Sequence, residues 1–546
     1  MKLTIYKMPS LIFSLVLGLS IHSSNVYAQF AGGTGTVSEP YQIANVTQLQ
    51  LAGSYLTSSF VLINNIDATV TVTWNSGSGF IPIGNASTYF RGNFNGAGFK
   101  ITGLTINRPT TDRVGLFGVH YTGLISNLIL ENVSITGRKH VGALVAEKVT
   151  NIENCTASGA VTGTENVGGL VGSNYGAISS CNASCTVSGT SKVGGLIGSG
   201  AGTGVSDCFS TGNVSGTVQT GGFIGGIDSN GGTVQNCHST GNVSTTGSMP
   251  TLGGFVGRMQ AGTITNCYAT GNVTGGQNNG GFIGQNQGII EKSYSTGSVS
   301  VQAGATVGGF VAINEGGRIN NCYTTSNVTK NSPNNFTGYA GGFAGRNQKG
   351  TIITNAYSAG TVTSIGGVGV GGFAGSNEIS TTNNLPDSGK IVNSFWNLDI
   401  SGQAVGAANS TTNAVNTKVT GLSTASMRQI ASFVGWDFTS IWTIDEGATY
   451  PYFRTSSLTN SLINNEIKKY ENLKVYCVKS KQSLQIQGVD FSNGVFVRIL
   501  SVDGKTIYSK KTDASSIDIS TLNKGVYLIE LTDNKGLAQT AKFIKI

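Results

Sequence analysis

Pairs of adjacent apolar residues framed by glycines recur along the middle of this chain. They are Leu116-Phe117, Leu144-Val145, Leu170-Val171, Leu196-Ile197, Phe223-Ile224, Phe255-Val256, Phe282-Ile283, Phe310-Val311, Phe343-Ala344 and Phe373-Ala374. The residue closing each pair (Gly118, Ala146, Gly172, Gly198, Gly225, Gly257, Gly284, Ala312, Gly345, Gly375) returns every 26 to 33 residues. Two further columns keep the same step. One is a polar residue followed by a small one, from Asn154-Cys155 through Asn266-Cys267 to Asn393-Ser394, and the other is a lone valine, from Val161 through Val273 to Val362. Such a period predicts a solenoid or a propeller, but it falls short of the roughly 40 to 45 residues of a propeller blade, and no leucine-rich run appears. Three short strand-like pieces per period, turning at Gly or Asn and stacking about 4.8 Å from the next turn, predict a parallel β-helix of ten or more coils. The framing glycines suit a bend where the backbone crowds the neighbouring coil or needs positive φ.

The ends break the period. Residues 29–113 read as an N-terminal cap and first coils, with a short helix over 46–52 behind Asn45 and a strand over 60–66. The array runs over 114–400. A C-terminal cap follows over 401–453, with a helix expected over 424–433. Trp396, Trp436 and Trp442 are expected to plug the open core there. A polar linker spans 454–471. Over 472–546 short strands alternate with turns at Asp503-Gly504 and Asn534-Lys535-Gly536, which predicts a small antiparallel β-sandwich. The fold class is therefore all-β, a solenoid followed by a sandwich. At the other end, Lys2 and Lys7, an apolar run over 11–21, and Val26-Tyr27-Ala28 before Gln29 have the layout of a secretory signal cut between Ala28 and Gln29. No later apolar stretch has the length of a membrane helix, so no transmembrane segment is expected in the mature chain.

Gly-Gly-Leu-Val-Gly at 168–172 and Gly-Gly-Phe-Ile-Gly at 280–284, followed by Asn-Cys-Tyr and Gly-Asn-Val, resemble the GLUG repeat family. That family occurs in secreted bacterial adhesin-like proteins and in some streptococcal immunoglobulin A peptidases. The resemblance covers about 115–399 and implies surface interaction more than any chemistry. Residues 472–546, with Leu522-Asn523-Lys524-Gly525-Val526-Tyr527 and the ending Lys542-Phe543-Ile544-Lys545-Ile546, resemble the C-terminal sorting domain of the Bacteroidetes type IX secretion system. Gly525, Tyr527, Lys542 and Phe543 carry that motif. The resemblance implies handling by the type IX machinery, removal of the domain, and a product that is secreted or held on the outer-membrane cell surface.

Composition narrows the function classes. Glycine supplies 80 of 546 residues against 8 prolines, with no Gly-X-Y period, which argues against collagen. Regularly placed Val, Ile, Phe and Tyr argue against disorder. Residues 29–453 hold 17 basic and 17 acidic side chains, so the overall charge of +8 comes from the two ends. A neutral, sparsely charged array offers no patch to release counterions from phosphates, and nucleic acid is not an expected partner.

Candidate chemistry is sparse. His120, His140 and His238 sit in no zinc-binding pattern. The acids Glu131, Glu147, Glu153, Glu165, Asp207, Asp228, Glu291, Glu315 and Glu378 fall in scattered columns, where polysaccharide hydrolysis would need them paired. No enzyme activity, cofactor or metal is expected. Cys155, Cys181, Cys208, Cys237, Cys267 and Cys322 share one column, with Cys185 and Cys477 outside it. They form disulfides between coils or, as Ser293, Ala356 and Ser394 in the same column favour, a ladder of buried thiols. The next column is Phe209, His238, Tyr268, Tyr294, Tyr323, Tyr357 and Phe395. It packs along the core edge or, if exposed, gives a sugar-stacking platform with Tyr268, Tyr294, Tyr323 and Tyr357 as ligand residues. Binding is the expected function, as an adhesin for glycans or surfaces. The alternatives are an accessory carbohydrate-active protein and an ice-binding solenoid, the latter suggested by Thr211, Thr240, Thr270, Thr296 and Thr325.

Overall fold

One coil, residues 251–274, shows how the period becomes structure. It holds five short strands, Thr251–Gly253, Val256–Met259, Thr263–Thr265, Tyr268–Ala269 and Val273–Thr274. Each pairs in parallel with its counterpart one coil on: Leu252 with Asn279, Val256 with Ile283, Ile264 with Ile290, Tyr268 with Tyr294 and Val273 with Val299. The expected three pieces are thus five ladders, because strands of two residues carry too little alternation to be seen singly. The ladder through Val256 has ten strands, the one through Leu252 has nine, and the other three belong to one extended sheet.

The computed structural model describes residues 29–454 except 246, 248–249, 302–305, 332–337, 349, 367, 379–388 and 409–416; further on it describes 474–478, 483–487, 491–492, 494–501, 506–522, 525–532 and 538–545. The expected signal over 1–28, nearly all of the linker over 454–471, the turns at Asp503-Gly504 and Asn534-Lys535-Gly536, and the side chains of Cys477, Lys542 and Phe543 lie outside the described residues.

The core is columnar. Phe223, Phe255, Phe282, Phe310, Phe343 and Phe373 are fully buried and stack with centroids 4.7 to 4.9 Å apart. The valine column forms a second buried cluster from Val243 to Val362. The glycines before each Phe answer crowding: a Cβ on Gly254 would stand 2.1 Å from the Gly281 carbonyl oxygen. Positive φ falls on the Asn column instead. Asn154, Ser180, Asp207, Asn236, Asn266, Lys292, Asn321, Asn355 and Asn393 all turn the corner in the left-handed region, φ 45 to 56°, where Asn is the best-tolerated residue after glycine.

Coiling starts earlier than the period reveals. Tyr41–Ile43 pairs in parallel with Phe60–Leu62, which pairs with Phe94–Asn95 and through it with Leu124–Ser126. The helix Val46–Leu51 forms where expected, its first turn capped by the Asn45 side chain, which accepts from the Gln48 N–H.

At the far end only Trp396 fills the core as expected, its indole packed against Gly372, Gly406 and Gly421. Trp436 and Trp442 lie on the outside of the last coils. The helix expected over 424–433 is two single 3-10 turns, Ser426–Arg428 and Ile430–Ser432.

The unit from Phe453 onward is antiparallel. One sheet has three strands, Lys474–Val478, Ser483–Gln487 and Ser516–Asp518, and the other has four, Val495–Ser501, Thr506–Thr512, Gly525–Thr532 and Ala538–Lys545. Leu484, Ile486, Val497, Ile499, Ile517 and Ile529 form its core. Lys474–Val478 is a strand that turn spacing did not reveal.

Candidate functional site

The aromatic column follows the inward cysteine by one residue, so strand alternation points it outward. Its rings nevertheless cover one another. Phe209, His238, Tyr268, Tyr294, Tyr323 and Tyr357 stack with centroids 4.6 to 5.0 Å apart and planes within 9°. This is neither packing in the core nor a row of open ring faces, since both faces of each inner ring are taken by its neighbours. The C-terminal segment lies over the later rings. Trp442 packs against Tyr323 and donates from its indole N–H to the Asn321 side-chain oxygen at 3.2 Å. Trp436 donates to the Asn393 carbonyl at 2.9 Å, and Phe395 packs against Phe433 and Trp436. Tyr357 is buried, and burial raises its phenol well above the usual range. Tyr323 and Tyr357 are therefore withdrawn from the expected ligand platform. Tyr268 and Tyr294 are half-buried, and burial pushes Tyr294 up to about 12.

Beside the rings run Thr211, Thr240, Thr270 and Thr296, all exposed. Beyond them the side-chain oxygens of Asn213, Asn242 and Asn272 accept the backbone N–H of the next coil at 2.9 to 3.0 Å. This amide ladder satisfies backbone groups where the chain is too irregular to pair with itself.

All six cysteines of the column are buried and free, as is Cys185. Each sulfur faces two ways. The Cys181 sulfur accepts the Cys155 N–H at 3.3 Å and donates to the Ser179 carbonyl at 3.1 Å. Ser293 repeats both contacts with its hydroxyl, accepting from Cys267 and donating to Glu291. The column therefore holds small side chains, most of which both donate and accept, with the methyl of Ala356 beside Cys322 as the exception. Burial pushes the Cys185 thiol up to about 12, away from the thiolate form.

Five of the nine acids that looked scattered, and Asp112 with them, are joined to bases one coil away. Lys100 pairs with Glu131 at 2.9 Å, Arg113 with Glu147 at 2.6 Å, and Arg138 with Asp112, Lys139 with Glu165 and Lys192 with Asp228 at 2.7 Å each. Arg346 pairs with Glu378. His140 Nδ1 lies 2.7 Å from the Ser173 hydroxyl, but Ser173 is only 2% exposed. Among the described residues no three His, Cys, Asp or Glu side chains come together as metal ligands.

Inside the ten-strand ladder lies a polar column that the sequence reading missed. His120 and Lys148 are register partners, both fully buried, and Lys148 donates to the Asn174 side-chain oxygen at 3.0 Å and the Ala177 carbonyl at 2.7 Å. Burial pushes Lys148 down to about 7, and burial with the Lys148 charge pushes His120 down to about 4. Farther along, Asn286, Asn314, Asn347 and Asn377 form a buried amide ladder with contacts of 2.8 to 2.9 Å.

Comparison with known proteins places two families on this chain. The GLUG motif matches residues 251–274 and 337–363, and the secretion system C-terminal sorting domain matches 475–546. Over 136 residues the chain is 39% identical to halomucin of Haloquadratum walsbyi, and over 131 residues 38% identical to a "Putative Gly-rich membrane protein" of Evansella cellulosilytica. These stretches are 24% and 23% of this chain but 2% and 15% of those proteins, so the chain spans a small part of the curated relatives it matches. A crystal structure titled as a putative immunoglobulin A1 protease from Bacteroides ovatus covers 78% of this chain and 95% of its own, at 18% identity and a TM-score of 0.33, a likeness that carries no argument. The chain thus carries GLUG motifs and a C-terminal sorting domain that indicates export by type IX secretion to the cell surface or outside. No helix among the described residues is long and apolar enough to cross a membrane.

Proposed function

We propose that this exported repeat protein acts by binding, as an adhesin for glycans or other surfaces, and not by catalysis. The observation that carries the reading is the engagement of six of its carboxylates. Glu131, Glu147, Asp112, Glu165, Asp228 and Glu378 each hold a base of the adjacent coil, which brackets successive coils and leaves none of the six as a free partner for a second acid. Glycoside hydrolysis needs two carboxyls facing one bond. The His140–Ser173 contact would favour a hydrolase, but a nucleophile 2% exposed has no path to substrate. What remains outward is a periodic surface rich in Thr and Asn whose charges are largely paired, suited to a hydroxyl-rich polymer. An ice-binding role would use the Thr column; its coils differ in length by up to seven residues, which works against a flat face.

The proposed mature product runs from Gln29 into the linker over 454–471, with 472–546 removed. Glycan-array binding by the protein recovered from the medium tests the function. Retention on at least one glycan supports it, and no retention on any glycan refutes it. Mass spectrometry of the same sample tests the ends.

A further inference from the structure

Three residues after each closing glycine or alanine the chain leaves the ten-strand ladder, at Tyr121, Val149, Tyr175, Asp228 and Gln260 toward the surface and at Ala201 in the core. Backbone bonds fix the first of these as one column, Tyr121 N–H to Phe90, Val149 N–H to His120 and Tyr175 N–H to Lys148. The column differs from the closed aromatic ladder in one decisive respect. Tyr121 is stacked with Tyr89 at 5.3 Å and carries the Arg91 guanidinium 4.6 Å from its centroid. Val149 then breaks the stack, and among the described residues no ring lies against Tyr175. Tyr121, Val149 and Tyr175 are 43, 42 and 51% exposed. Two rings two coils apart, about 10 Å, thus flank an apolar floor, while the rings of the ladder leave no gap.

The neighbours of this platform are polar and neutral in sum. Arg113–Glu147 lies on the same coils, and Lys192–Asp228 lies just beyond, with Ser199 donating to Asp228 at 2.9 Å. The Glu147 and Asp228 carboxylates, after partial burial, help raise the Tyr175 phenol, which places it beside both pairs. We propose that Tyr121, Val149 and Tyr175 form the contact site for a neutral glycan. The aromatic faces would take the apolar face of a sugar ring, and the paired charges would offer hydroxyls both donors and acceptors without attracting an ionic ligand. This site rests on the adhesin reading and gives it a location.

The test uses the full exported protein and its Tyr121→Ala/Tyr175→Ala and Tyr452→Ala variants, Tyr452 being an exposed ring outside both aromatic columns. Each is incubated with insoluble cellulose, chitin, β-1,3-glucan and mannan, with polygalacturonate as the anionic control. The parent should bind at least one neutral polysaccharide, the double variant should lose tenfold or more in affinity with an unchanged thermal midpoint, and Tyr452→Ala should bind as the parent does. Tyr175→Trp should retain binding. A double variant that binds within twofold of the parent overturns the site and leaves the adhesin reading standing. A parent that binds none of the polymers overturns both. Loss of self-association in the double variant, with no polysaccharide bound by the parent, identifies the patch as a contact between copies and also overturns the site.

Discussion

The Tyr357 hydroxyl donates to the Pro451 carbonyl at 2.7 Å, joining two residues 94 apart in sequence. It fixes the returning C-terminal segment on the outside of the solenoid, where Trp436 and Trp442 cover the edges of the last rings of the aromatic ladder. The end of the rod is therefore closed twice, by Trp396 within the core and by a strap along its flank.

Trp442 is the anchor of that strap. Truncating a fully buried tryptophan costs about 3 to 5 kcal/mol, and Trp442→Ala also leaves Asn321 without its indole donor. Limited proteolysis should cut within 424–453 much faster in the variant than in the parent, while the middle coils stay protected. Unchanged cleavage would show that the strap is held elsewhere.

Two rings one column apart should respond differently. Phe282 is stacked between Phe255 and Phe310 in the core, so Phe282→Ala should cost about 3 to 5 kcal/mol. Tyr268 stacks outward between His238 and Tyr294, and Tyr268→Ala should lose only its aromatic contacts, about 0.5 to 1.5 kcal/mol each. Urea titration separates the two. Equal losses would mean that the inward and outward columns have been exchanged.

Lys148 makes stability depend on pH. Its pKa in the fold is depressed from 10.5 to about 7, so between pH 7 and 10.5 the unfolded chain holds one more proton than the native one. Stability then rises with pH across that window, by about 1.4 kcal/mol per unit at most, and the charging penalty is fully present below pH 7. Lys148→Met should flatten this slope relative to the parent. The slope from His120, whose pKa falls to about 4 through burial first and the Lys148 charge second, should remain below pH 6.5 in the variant but over a narrower window, because burial persists and the charge is gone. Denaturant midpoints of parent and variant against pH read the difference, and parallel curves from pH 7 to 10 would contradict it.

The thiol column should accept a hydroxyl and resist a branched hydrocarbon at Cys237. Cys237→Ser keeps an acceptor for the Cys208 N–H, now met by the Cys237 sulfur at 3.4 Å; Cys237→Val orphans that buried donor, at about 1 to 3 kcal/mol. Thermal midpoints should rank parent, Ser, then Val. In the folded parent, a water-soluble thiol reagent should leave the column unmodified.

Much of this was legible because a coil repeats its chemistry. The Phe, Cys and Val columns fall in register without slippage, since a one-residue shift would turn every Phe outward. The direction of the aromatic column was legible too, as Tyr268 follows an inward Cys267 in a strand, yet the preference of large rings for the core outweighed the alternation. Tyr41 to Phe60 could not be recognised as a coil, because the first turns lack the Gly-Gly signature. The course of residues 424–453 depends on contacts between Trp442 and Asn321, 121 residues apart, which no local pattern records. Tyr121 and Tyr175 stand at a constant offset from Gly118 and Gly172, so comparison at that offset would have found them. Their exposure, however, depends on Val149 lying between them.

Binding without turnover is the central claim, and one measurement meets it directly. The exported protein is incubated with the neutral polysaccharides, and the bound fraction and the newly formed reducing ends are read from the same tube. Binding without turnover predicts saturable retention on at least one polymer with no reducing ends above the protein-free control; release of sugar, or no retention on any polymer, would contradict it.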